Sequence, residues 1–76
     1  LSESKKVLVS LTIPADEYLR VYQGAAKKVS AIDHQGRRIS FPVNILQRFV
    51  SHDGVVGTFA IYFDSDNRFI KIDRIA

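Results

Sequence analysis

Lys6 to Ile13 reads K-V-L-V-S-L-T-I. Val7, Val9, Leu11 and Ile13 recur at every second position, the period of a strand with one buried face, and Leu8 adds an apolar side chain to the face that is otherwise polar. Pro14 cannot donate to a sheet ladder and presets the dihedral of a first helical turn. Asp16 and Glu17 follow it, where carboxylates complement the positive end of a helix dipole. Ala15, Tyr18, Leu19 and Tyr22 are spaced i, i+3, i+4 and i+7, which predicts a helix of about two and a half turns with these four on its buried face. Gly24 is placed to close that helix in a left-handed conformation.

A hairpin follows. Asp33-His34-Gln35-Gly36 puts Asp first and Gly fourth, the preferences of a type I turn, and a left-handed Gly36 completes a three-residue loop with a bulge. Asp33 then faces Arg37, Ala31 faces Ile39 and Val29 faces Phe41. In this register Val29, Ala31, Ile39 and Phe41 share one face, while Lys28, Ser30, Ser40 and Arg38 share the other with Ile32. A slip of one residue would mix the two sets. Lys28 and Arg38 are thus expected to point away from the core.

Phe41-Pro42 ends that strand, and Val43, Leu46, Phe49 and Val50 are spaced for one apolar helical face. Ser51-His52-Asp53-Gly54 reads as a turn. Val55 to Phe63 is a strand in which Gly57 marks a bulge or a close backbone approach. Asp64 to Asn67 is a turn and Arg68 to Ile75 the last strand. Pairing Ile61 with Ile70 and Phe59 with Ile72 keeps the apolar residues together and implies a four-residue loop, Asp64 to Asn67. The pattern predicts an α+β fold: five mainly antiparallel strands forming a curved sheet or small barrel with two short helices, in the order β-α-β-β-α-β-β. A single domain spans 1–76, with 1–5 a flexible N-terminus.

Composition narrows the chemistry. The chain has 76 residues, so its core is small, and it has no cysteine, which excludes disulfides and thiolate metal sites. Packing alone must hold it together. No apolar run approaches the ~20 residues of a membrane span. The start, Leu1 to Lys6, lacks an apolar stretch after a basic one, so a secretory leader is not expected. A cytoplasmic location follows as the expectation. The net charge of +3 permits an anionic partner without demanding one.

Nucleophilic catalysis needs a nucleophile, a base and an orienting group. His34 and His52 sit beside Asp33 and Asp53, but both pairs fall in turns, where Asp caps and His is tolerated. Asp64-Ser65-Asp66-Asn67 departs from a calcium loop because Arg68 occupies the fifth position, where an oxygen ligand is required. No phosphate-binding glycine motif or zinc-protease motif occurs. No cofactor is expected, and the chain reads as a non-enzyme.

Tyr22, Gly24, Phe41-Pro42, Leu46, Phe49, Gly54, Gly57, Phe59 and Phe69, in that order, resemble the pattern of a small family of uncharacterised bacterial proteins, known only as a domain of unknown function. The resemblance runs from about Leu11 to Ile75. It implies a short stand-alone bacterial protein and implies no activity, so no site residue is carried over from it.

Two readings of function remain. The first is a non-enzymatic interaction module, acting through a protein partner or through self-association. Small sheets leave unpaired edge strands, and Lys6–Ile13 or Arg68–Ile75 is expected to be one. The second is binding of nucleic acid or another polyanion through Lys27, Lys28, Arg37 and Arg38 on the hairpin, with Arg48 and Arg20 on the helices nearby. Tyr18, Tyr22 and Tyr62 are the aromatic side chains expected to be partly exposed for stacking.

Overall fold

The computed structural model describes residues 4–25 and 27–76. Strand β1 spans Lys5–Ile13, helix α1 Ala15–Gln23, β2 Lys28–Ile32 and β3 Arg38–Pro42; a 3-10 helix covers Val43–Phe49, and β4 (Val55–Phe63) and β5 (Phe69–Arg74) complete the chain. All strand pairs are antiparallel, in two sheets: a three-stranded sheet in the order β1-β4-β5 and the β2-β3 hairpin. The expected single curved sheet or barrel is therefore divided in two. Of the N-terminal stretch expected to be flexible, residues 1–3 lie outside the described residues and Lys5 opens β1 opposite Phe63.

The alternation read from β1 is realised. Val7, Val9 and Leu11 are buried, and β1 lies along β4 in unbroken register from Lys5–Phe63 to Ile13–Val55. The hairpin adds Phe41 from its inner face. Phe41, Phe59, Leu46, Ile61, Val9, Val43 and Val55 are the largest fully buried side chains, drawn from both sheets and the 3-10 helix. Burying each contributes about 1.5–3 kcal/mol.

The segment over 43–49 is a 3-10 helix, and packing gives the reason. At three residues per turn Val43, Leu46 and Phe49 eclipse one another, so a seven-residue piece aims all three inward. Phe49 meets Phe59 edge-on, ring centroids 5.0 Å apart. On α1 the buried face is Tyr18 with Val21 and Tyr22, whereas Leu19 is 51% exposed and Ala15 exposed. The face is rotated from Leu19 toward Val21, which lies with Val29 and Val43 between α1 and the hairpin, and Tyr18 stacks on Tyr22 with centroids 5.8 Å apart. Gly24 closes the helix extended (φ −75°, ψ 166°), and the left-handed residue falls later, at Lys27 (φ 53°).

The last strand departs furthest from expectation. Ile61 faces Ile72 and Phe59 faces Arg74, two residues beyond the predicted register. The loop is one residue tighter than expected, since the Asp64 N–H donates to the Arg68 carbonyl and Asn67 is left-handed (φ 64°). A register shift at Tyr62/Phe63 adds the second residue. This turn repeats the hairpin turn, with Asn67 in the role of Gly36.

At Gly54 and Gly57 an added Cβ would come closer than 3.0 Å to neighbouring backbone. Gly54 (φ +97°) lies where an added Cβ would sit 2.0 Å from the Ile13 carbonyl and 2.7 Å from the Ala15 nitrogen. Gly57 is the close approach expected from the sequence, with the Ala76 carbonyl 2.8 Å from such a Cβ.

Candidate functional site

The site begins at Asp33, whose side chain is 1% exposed. Its Oδ1 accepts the backbone N–H of Gln35 (2.9 Å) and of Arg37 (2.8 Å), and its Oδ2 accepts Arg37 Nε–H at 2.8 Å. Burial alone pushes this carboxyl up; the Arg37 N–H and guanidinium and the Gln35 N–H outweigh it and hold Asp33 below the usual carboxylate value. Asp64 repeats the arrangement with Arg68 and Asp66, and the Arg68 N–H leads in lowering its pKa against the opposing effect of burial.

The ordered turn fixes His34 against β1. The His34 N–H donates to the Leu8 carbonyl at 2.9 Å, and its Nε2 lies 2.9 Å from Ser10 Oγ, which in turn meets Thr58 Oγ1 at 3.1 Å. The hairpin tip is thereby pinned to the free edge of β1.

Beyond the pin the two strands separate. In an antiparallel ladder the backbone groups of successive residues point to opposite edges. Leu8 points away from β4, so Ser10 and Thr12 do too, and among the described residues no backbone partner faces them. On β2, the Asp33–Arg37 and Lys27–Val43 backbone bonds show that the odd-numbered residues face β3. Lys28 and Ser30 therefore present their backbone groups toward β1. The two unpaired edges enclose a cleft of about 310 Å³, with α1 closing one side through Glu17, Tyr18 and Val21, and Val43 among the lining residues. This volume is at the lower end of ligand pockets. Tyr18 is buried and its hydroxyl has no hydrogen-bond partner among the described residues; burial, with the Tyr22 phenol beside it, raises its pKa.

The other edge of the three-stranded sheet is guarded. Arg48 Nη2–H donates to the Ile72 carbonyl at 2.7 Å, and its guanidinium lies 4.8 Å over the Phe49 ring. Arg48 therefore lies on β5, away from the hairpin with which the sequence grouped it. The remaining candidate cations divide. Lys27, Lys28 and Arg38 are exposed, Arg37 is tied to Asp33, and Lys28 and Arg38 share the outer hairpin face with an exposed Ile32. Four residues of strand separate those two cations, roughly 13 Å. Arg20 pairs with Asp16 at 3.8 Å on exposed α1. Tyr18, expected to be partly exposed, is buried because α1 turns it into the core, while Tyr22 and Tyr62 are half-buried.

Sequence reasoning missed two features. Glu17 was read only as a helix-dipole residue, and here it walls the cleft beside Lys28. Lys5 joins Arg37, Arg38 and Asn67 around a second cleft of about 300 Å³, floored by Val7, Ile39 and Phe63, with no carboxylate among the described residues that line it. Local pattern carries no signal for either juxtaposition. His52 and Asp53 occupy the tight Ser51–Gly54 turn, where the Asp53 N–H donates to Ser51 Oγ at 3.3 Å.

These elements define a small α+β protein whose candidate site lies between two strand edges. The chain belongs to the family described as "Protein of unknown function (DUF2835)", which matches residues 5–75 and bears out the resemblance to an uncharacterised family. No curated protein and no solved structure matches it.

Proposed function

We propose that the chain is a non-enzymatic interaction module of the bacterial cytoplasm that takes an extended segment of a partner protein along the free edge of β1. The observation that carries this reading is the pair of unpaired edges, Ser10–Thr12 and Lys28–Ser30, held apart across the cleft. A strand added there finds backbone donors and acceptors on both sides, and the alternate side chains meet Leu11, Val29 and Val43. Among the described residues no helix is long and apolar enough to cross a membrane. The lack of cysteine suits a reducing compartment.

The test is a random-peptide display selection against the folded chain, followed by Thr12→Pro. That substitution removes an N–H that points into the cleft and leaves the β1–β4 ladder its own bonds. Peptides that lose binding to Thr12→Pro and keep it to Lys71→Ala support the reading. A selection without binders, or binders indifferent to Thr12→Pro, ends it.

A second reading, polyanion binding, draws support from the cleft lined by Lys5, Arg37 and Arg38, which has no carboxylate among its described lining residues. Affinity for short oligonucleotides that falls steeply with salt, and falls further in Arg38→Glu, would favour it; no binding at low salt would exclude it.

A further inference from the structure

We infer that the edge of β5 is a self-complementary docking surface for a second copy of this chain, held shut by Arg48. This surface lies across the sheet from the cleft and stands independently of the reading above. Lys71 and Asp73 bond toward β4, because they face Tyr62 and Ala60, whose neighbour Thr58 exchanges backbone bonds with Ile75 and Ala76 on that same side. Ile72 therefore presents its backbone groups to the open edge, and the Arg48 contact on its carbonyl is direct proof of that direction. An unpaired edge of this kind templates another strand unless something occupies it.

The sequence of the edge specifies the partner. Two β5 strands meeting antiparallel about a two-fold axis at Ile72 place Ile72 opposite Ile72. Each Lys71 then faces the Asp73 of the other copy, twice over. Within one chain Lys71 Nζ already lies 3.6 Å from Asp73 Oδ2, so both charges share one face. The flanking pairs in this register are the closely spaced kind, where opposite charges attract and like charges repel most strongly. The paired edges would join two three-stranded sheets into one of six strands.

Arg48 occupies the carbonyl at the centre of that register. Its position is set by the core: Phe49 packs on Phe59 and the guanidinium covers the Phe49 ring. Association must break this charged hydrogen bond in both copies. Releasing it shifts the dimer constant by roughly tenfold to a hundredfold for each guanidinium removed.

Sedimentation velocity across a concentration series tests the proposal, with circular dichroism to establish that each variant folds. The wild type is expected to sediment as a monomer at micromolar concentration and Arg48→Ala as a dimer. Adding Asp73→Lys to Arg48→Ala sets like charges on facing strands and returns the monomer, and adding Lys71→Asp as well restores the dimer. The proposal is overturned by an Arg48→Ala protein as monomeric as the wild type, or by a wild type that dimerises equally tightly. A dimer indifferent to the sign of the charge at position 73, or an open-ended aggregate, also overturns it.

Discussion

Gly54→Ala isolates the effect of backbone crowding at the corner between β1 and α1. An alanine at φ +97° carries the left-handed penalty of an L-residue, about 1–2 kcal/mol. Gly36→Ala carries the same penalty, since φ is +83°, yet a Cβ there has nothing within 4 Å. The difference between the two variants is therefore steric. At Gly54 the new Cβ would lie 2.0 Å from the Ile13 carbonyl and 2.8 Å from the Pro14 carbonyl carbon, so the corner must move. Forcing atoms into a filled interior costs about 1–3 kcal/mol, and these neighbours are backbone, which gives way less readily than a side chain. Gly54→Ala should lose about 2–5 kcal/mol, against about 1–2 kcal/mol for Gly36→Ala. A domain of this length holds about 4–11 kcal/mol in all, so Gly54→Ala approaches unfolding while Gly36→Ala does not. Urea titration followed by circular dichroism reads both, with the stability change taken from the midpoint at an unchanged slope. Two variants with midpoints that coincide within error would refute the steric argument.

Tyr18→Phe should stabilise the fold by about 1–3 kcal/mol, because it removes a buried hydroxyl that has no partner among the described residues; a lower urea midpoint would mean that the hydroxyl has a role. Acid sensitivity should come from the two turn carboxylates. The folded values of Asp33 and Asp64 lie below the ordinary one, so the unfolded chain binds more protons between the two values. Their contribution is complete above about pH 4 and is lost as pH falls through the depressed folded values. Asp33→Asn should flatten the acid limb of a stability–pH profile, and a limb unchanged in slope would count against Asp33.

The sequence carried the hairpin in full. Its loop chemistry and its alternation agree, so a single register satisfies both, and Val29 lies opposite Phe41 as expected. The second turn, Asp64 to Arg68, was legible in principle, since Asp first and Arg fifth repeat the pattern of Asp33 and Arg37. It was misread because Asn67 stands where Gly36 announces a left-handed residue, and the register shift at Tyr62/Phe63 leaves no mark in the alternation, since Ile61 finds an isoleucine in either register. The division into two sheets was not legible. It depends on how far the hairpin swings from β1 past the Leu8–His34 bond, and no periodicity encodes that angle. Among the site residues, Lys28 and Arg38 were placed on the correct face, whereas Arg48 was grouped by charge alone. Its real partner is a carbonyl 24 residues away, beyond the reach of a local pattern.

The pairing of the first strand with the fourth sets a timetable for synthesis. Val7 and Val9 have their partners at Ile61 and Phe59, which follow the hairpin in the chain. As the chain leaves the ribosome, the hairpin from Lys28 to Pro42 holds its own loop and both its strands, while the greasy segment before it must wait. A product that stops short of Val55 carries that segment unprotected, and such fragments are natural substrates for chaperones and proteases.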